Sequence, residues 1–206
     1  MKPPAEAIID LYSRRARDFD ADRTKTLFER PWLDAFLAHV PDRGAVLDLG
    51  CGSGEPIARY LIEQGRRVTG VDASPGLIAL CRERFPTQDW RVADMRELDL
   101  GRTFDGLIAW HSLIHLAPDE QPGMLGVFAR HLRPGGVLLF TSGSERGETI
   151  GLWRGEPLYH GSLSLAEYRT VLDRTGFDVL RHAEDDPHCG GATVWLARRC
   201  GGRMTE

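Results

Sequence analysis

Between residues 45 and 141 short apolar runs alternate with amphipathic stretches. AVLDL (45–49), RVTGV (67–71), residues 90–93, FDGLIAW (104–110) and GVLLFT (136–141) read as strands. Between them, residues 55–64, 75–85 and 118–132 read as helices, the second opened by Ser74-Pro75, because proline suits a first helical turn. Strands of near-continuous apolar character alternating with helices predict an α/β fold. Its expected form is a doubly wound parallel sheet with helices on both faces and right-handed crossovers.

The flanks follow other patterns. In residues 5–18, Ile8, Leu11, Tyr12 and Arg15 fall at helical spacing, and a second helical pattern covers 23–40, with Pro31 opening its last part. Residues 143–163 form a long Gly-rich segment, expected to be irregular and lid-like. A helix over 164–175 ends at Gly176, and strands over 177–183 and 192–198 flank DDPHCGG as an antiparallel hairpin. The expected organisation is an N-terminal helical cap (1–42), an α/β domain (43–199) and a mobile tail (200–206).

Composition narrows the functional classes. A chain of 206 residues, 42% hydrophobic and 27% charged, suits one packed domain. A net charge of −4 gives no general attraction to a phosphate backbone, so no nucleic-acid partner is expected. Four cysteines without a CxxC suggest reduced thiols and no metal site. The polar, proline-interrupted start MKPPAEAIID does not read as a signal peptide. No apolar run exceeds five residues, against the roughly 20 that span a bilayer. These features predict a cytoplasmic protein without membrane contact, a monomer or homodimer.

The chemistry concentrates in VLDLGCGSGEP (46–56). A Gly-rich turn between strand and helix lets a ligand approach the backbone. A triphosphate loop needs a lysine that is missing here. The dinucleotide fingerprint GxGxxG finds Glu55 in the frame starting at Gly50 and Ile57 in the frame starting at Gly52. What remains is Asp48-x-Gly50-x-Gly52-x-Gly54. A carboxylate at a strand end repels a pyrophosphate and attracts an ammonium group. Asp72 ends the second strand, 22 residues after Gly50, where it can accept hydrogen bonds from ribose hydroxyls. Asp94 ends the third, 22 residues further on, where it can accept from an adenine amine. Amine, ribose and adenine in that order describe S-adenosylmethionine.

VLDLGCGSG, VTGVDAS, VADM, FDGLIAW and LRPGGVLLF, in this order over about 45–142, resemble the class I (Rossmann-like) S-adenosylmethionine-dependent methyltransferases. The resemblance implies a seven-stranded, mostly parallel sheet with an antiparallel last strand. It implies that Gly50, Gly52 and Gly54 approach the methionine part, that Asp72 holds the ribose, and that Asp94 with the backbone of Met95 holds adenine; Cys51 and Ala73 are expected to line the same cofactor site. It also implies a lid of N-terminal helices, from which Tyr12 and Arg23 could reach the methionine carboxylate. For Tyr12, packing beside Ile8 is the competing reading.

Methyl transfer needs a held nucleophile and excluded water, and a base only if the acceptor carries a proton. By this resemblance the reacting carbon lies near Trp110-His111-Ser112 after the fourth strand. Trp110 could stack on adenine or pack in the core. His111 is the first candidate for a base or orienting group and His160 the second. A backbone-bonded loop histidine competes for His111, and His115 is expected to pack under the loop before Pro118. AWHS departs from the (D/N/S)PP(Y/F) segment of some amine methyltransferases, which favours a small-molecule acceptor. Alternatives are aminopropyl transfer from the decarboxylated cofactor, a non-catalytic binding module, and a protein or RNA methyltransferase with a broad groove.

Overall fold

A computed structural model describes residues 4–201. Three helices come first: α1 (Pro4–Arg14), α2 (Ala16–Asp22) and α3 (Arg30–Leu37). The stretch read as one helix over 5–18 breaks at Arg15. The pattern over 23–40 condenses to α3, because Leu27 takes a left-handed φ of 52° that no helix continues. Trp32, Leu33 and Phe36 of α3 are buried in the core.

The alternating region follows as β1 (Ala45–Leu49), α4 (Ile57–Glu63), β2 (Arg67–Asp72), α5 (Pro75–Arg84), β3 (Asp89–Val92) and β4 (Phe104–Ala109). Then come α6 (Gln121–His131) and β5 (Leu132–Ser142). The Ser74 side chain caps α5 by accepting from the Leu77 N–H at 3.3 Å. Helix α6 starts three residues later than the apolar pattern suggests, since Pro118–Glu120 form a turn in which Glu120 accepts from the Ala117 N–H at 3.0 Å.

Residues 143–163 depart from the expected irregular loop. They form a two-stranded antiparallel hairpin, β6 (Gly147–Trp153) and β7 (Glu156–Ser162). Arg154 and Gly155 join the strands with φ of 51° and 79°, the left-handed pair of a two-residue turn whose twist matches its strands. Helix α7 (Leu165–Arg174) opens with a Ser164–Glu167 capping box, and β8 (Phe177–Asp186) and β9 (Ala192–Arg199) close the fold.

The main sheet has seven strands in the order β3-β2-β1-β4-β5-β9-β8. β9 runs antiparallel to both neighbours and the other pairings are parallel. Adjacent residues feed opposite core layers: Val46 and Ile108 face α3 and α4, whereas Leu47 and Leu107 face α6 and α7. The strand order reverses at β1, which lies between β2 and β4, so their carboxyl ends frame the crevice where open α/β sheets bind ligands. Among the described residues no helix is long and apolar enough to cross a membrane.

Candidate functional site

A cavity of about 640 Å³ opens at these carboxyl ends, within the size range of small-molecule sites. Its floor is the turn after β1. The N–H groups of Gly50 and Cys51 both donate to the Val71 carbonyl, at 2.8 and 3.1 Å, and the Gly52 N–H donates to Asp72 Oδ2 at 3.0 Å. Asp72 Oδ1 accepts from the Ser74 N–H at 2.9 Å, so this carboxylate ties the glycine turn to the start of α5. Gly50 has φ of 73°, and a Cβ there would run into Ser112. Gly52 has φ of 56°, and a Cβ there would press on the Phe19 ring of α2. The bare backbone thus admits close neighbours from both floor and roof.

Among the described residues five acids line the cavity: Asp22, Asp48, Glu55, Asp72 and Asp94. Three have arginine partners. Asp22 pairs with Arg154 at 2.7 Å, Glu55 with Arg59 at 2.5 Å and Asp94 with Arg96 at 2.6 Å. Asp48 and Asp72, at the tips of β1 and β2, form no ion pair among the described residues. Burial, then the charge of Asp72, pushes the Asp48 carboxyl up to about 7, against a downward pull from Arg23. Burial pushes Asp72 up to about 6, although the Ser74 and Gly52 N–H groups favour its ionised form. Burial also raises Asp94, but Arg96 outweighs it and holds that carboxyl below its ordinary value.

The roof comes from α1, α2 and the hairpin. Rings of Tyr12, Phe19 and Trp153 meet there, with centroids 5.1 Å apart for Tyr12–Phe19 and 5.9 Å for Tyr12–Trp153. The hairpin turn is clasped to the helices: Trp153 Nε1 donates to Asp22 at 3.1 Å, Arg154 also reaches Asp18 at 3.2 Å, and Glu156 accepts from Arg14 and Arg15, each at 2.8 Å.

Three histidines line the same space. His115 Nδ1 lies 3.0 Å from the Tyr159 carbonyl, which can only accept, so this nitrogen carries the proton. Its Nε2 therefore accepts from the Tyr12 hydroxyl at 3.1 Å. His160 stacks on His115 at 5.3 Å. His111 takes φ of 50°, a strained conformation held by its N–H donating to Thr141 Oγ1 at 2.8 Å. Enclosure by the cavity walls lowers His111 and His115 to about 4, and lowers His160 as well, although His111 keeps an exposed surface, so the uncharged imidazole dominates near neutrality.

Of the residues singled out from sequence, Asp48, Gly50, Cys51, Gly52, Asp72, Ala73, Asp94 and Met95 line the floor side. Tyr12, Trp110, His111 and His160 also line the cavity. Gly54 does not line it; a Cβ there would meet Phe85 and Cys81 under the turn. Asp94, expected to accept from a ligand amine, also takes hydrogen bonds from Arg96, which reaches Glu120 at 3.0 Å. His115 lies on the cavity wall, where sequence placed it under the following loop. Phe19 and Arg96 were missed. The aromatic periodicity of 12 and 19 signals the first, and the i, i+2 acid–base spacing of 94 and 96 the second.

A family profile described as a methyltransferase domain matches residues 46–136. The chain is 31% identical over 174 residues to malonyl-[acyl-carrier protein] O-methyltransferase of Serratia marcescens, covering 81% of this chain and 66% of that protein. It is 29% identical over 135 residues to dTDP-3-amino-3,4,6-trideoxy-alpha-D-glucopyranose N,N-dimethyltransferase of Streptomyces venezuelae, covering 64% and 54%. The chain thus spans about half to two thirds of the length of these curated relatives. In fold it is similar to 1,6-didemethyltoxoflavin-N1-methyltransferase of Burkholderia thailandensis, solved with bound 1,6-didemethyltoxoflavin and S-adenosylhomocysteine. That likeness has a TM-score of 0.73 at 24% identity, over 98% of this chain and 92% of that one.

Proposed function

Because the chain belongs to the class I S-adenosylmethionine-dependent methyltransferases, we propose that its cavity binds S-adenosylmethionine and directs methyl transfer to a small-molecule acceptor. The observation that carries this reading is a pair of carboxylates, the buried Asp48 and the half-buried Asp72, that have no cationic partner among the described residues. A cationic ligand lowers the cost of ionising them, whereas a pyrophosphate raises it. The residues therefore fit the ammonium-bearing adenosyl sulfonium.

In this reading Asp48 faces the ammonium group, with the backbone of Gly50, Cys51 and Gly52 along the methionine part. Asp72 and Ala73 hold the ribose; each Asp72 oxygen takes one backbone N–H and keeps lone-pair capacity for a hydroxyl. Asp94 and Met95 take the adenine side, Trp110 forms wall beside it, and Tyr12 and Arg23 close the methionine end. When bound, S-adenosylmethionine supplies an electrophilic methyl group for in-line displacement. The protein's work is to hold the acceptor roughly 3–3.5 Å from that carbon and to exclude water. The aromatic roof and its clasp serve exclusion. His111, whose backbone is held by Thr141, accepts a hydrogen bond from an acceptor N–H or O–H, and the half-buried His160 takes up the released proton.

The test is isothermal calorimetry with S-adenosylmethionine and S-adenosylhomocysteine, followed by a metabolite screen for methyl acceptance. Binding of both with turnover of a small acceptor supports the reading; absence of adenosyl binding refutes it.

A further inference from the structure

Among the described residues two arginines line the cavity, Arg23 and Arg96. Arg96 is committed to Asp94 and Glu120. Arg23 lies at the end of α2 beside the Phe28 ring, 5.7 Å from its centroid, and its ion pair is with Glu29. Glu29 is wholly buried, and its second oxygen, Oε2, has no hydrogen-bond partner among the described residues. A carboxylate buried with half of its acceptors unused is costly. It is also rigidly mounted: the Glu29 carbonyl accepts from the N–H groups of Trp32 and Leu33, at 2.9 and 3.1 Å, at the start of the core-packed helix α3.

We propose that Glu29 is a positioning residue, which holds Arg23 back from the cavity acids so that Arg23 and Asp48 together read the zwitterionic end of an α-amino acid. The inference rests on the adenosyl reading above and names the part of the ligand that this corner selects. Arg23 is near enough to Asp48 to pull on its ionisation, yet it pairs with Glu29 instead. An arginine free to swing would neutralise Asp48 and leave neither charge for a ligand. Anchored by one Nη, Arg23 keeps further N–H donors for a carboxylate, while Asp48 keeps its oxygens for the adjacent ammonium. The bland role, a strut joining α2 to α3, needs only the Arg23–Glu29 pair and predicts no preference among ligands.

The experiment compares S-adenosylhomocysteine with its decarboxylated analogue by calorimetry. The two share adenine, ribose, sulfur and amine and differ in the carboxylate. The wild-type chain is expected to favour S-adenosylhomocysteine by about tenfold or more, the scale of one charge-assisted hydrogen bond. Glu29→Gln should erase most of that ratio by weakening S-adenosylhomocysteine more than its analogue, which loses only the Asp48 contact that a released Arg23 covers. Arg23→Gln should erase the ratio by weakening S-adenosylhomocysteine alone, and the double variant should resemble Arg23→Gln. Arg23→Gln keeps the test alive if Glu29→Gln does not fold. Equal weakening of both ligands by Glu29→Gln, or equal wild-type affinity for the two, overturns the inference while leaving adenosyl binding intact. Failure of the wild-type chain to bind either ligand overturns the adenosyl reading with it.

Discussion

The floor and the roof of the cavity are held by different physics. The floor is the carboxyl edge of the sheet, where buried strands, a glycine turn and backbone hydrogen bonds fix Asp48 and Asp72 with little room to move. The roof is α1, α2 and a hairpin whose strand β6 is exposed along almost its whole length, with Ile150 59% and Leu152 77% exposed. It is tied down by an aromatic cluster and by ion pairs at the surface. The profile match spans the floor and stops short of the roof, which lies in residues 4–22 and 147–162. A rigid, charged floor suits selection of one cofactor. A roof held by screened surface pairs suits opening, and it is where acceptor choice can differ between relatives.

The contrast breaks most sharply at Asp48. Asp48→Asn should weaken S-adenosylmethionine binding by on the order of 2–5 kcal/mol, because an ammonium group then loses its buried counter-charge. The same change should raise the melting temperature of the ligand-free protein at pH 8. With a folded-state pKa near 7, Asp48 favours the fold fully below its ordinary pKa of 3.8 and loses that contribution as pH rises through 7. Asparagine removes the penalty at pH 8, worth about 2–4 °C for each kcal/mol relieved, and brings no gain at pH 4. Differential scanning fluorimetry at both pH values, beside calorimetry, checks both halves. A variant that binds normally, or that melts lower at pH 8, contradicts the assignment.

Asp72→Ala should have the next largest effect, weakening cofactor binding by about 1–3 kcal/mol through loss of the ribose hydrogen bonds. Unchanged affinity would remove Asp72 from the site and leave it a tie between turn and helix.

Most of the floor is legible in the sequence because its signals are local. Asp48 and Asp72 lie at strand ends, Asp94 lies two residues beyond the end of β3, and the glycines lie within five residues of one another. The exception is Gly54, where spacing alone does not tell a turn facing a ligand from one packed on Phe85 and Cys81. The type and order of the elements over 45–141 also follow from periodicity, although α6 begins late at a proline turn. The roof is hard to read for two reasons. Its hairpin turns on Arg154-Gly155 and lacks the Asn-Gly or Asp-Gly pair that marks such turns. Its clasp joins residues far apart in the chain, Arg154 to Asp22 and Glu156 to Arg15, which no local pattern connects. Glu29 escapes for a related reason, since nothing in its neighbourhood distinguishes a buried acid from a surface one.

The clasp gives the smallest thermodynamic effect and sharpens the roof's side of the contrast. Glu156→Gln should barely move the melting temperature, since exposed ion pairs contribute little to stability. It should nevertheless speed amide hydrogen exchange in residues 147–162 and in α1–α2, and salt should produce a similar change in the wild-type chain. Exchange that stays unchanged in both regions would show that the aromatic cluster alone holds the roof.

The most direct measurement of the central claim is the proton balance of ligand binding at pH 6.5, from calorimetry in buffers of different ionisation enthalpy. Uncompensated acids with pKa values of about 7 and about 6 are together close to one proton short of full ionisation at that pH. Binding of S-adenosylmethionine should therefore release about one proton, and its affinity should fall as the pH is lowered further. Binding without proton release, or preferential binding of NAD or ATP in the same cavity, would contradict the account.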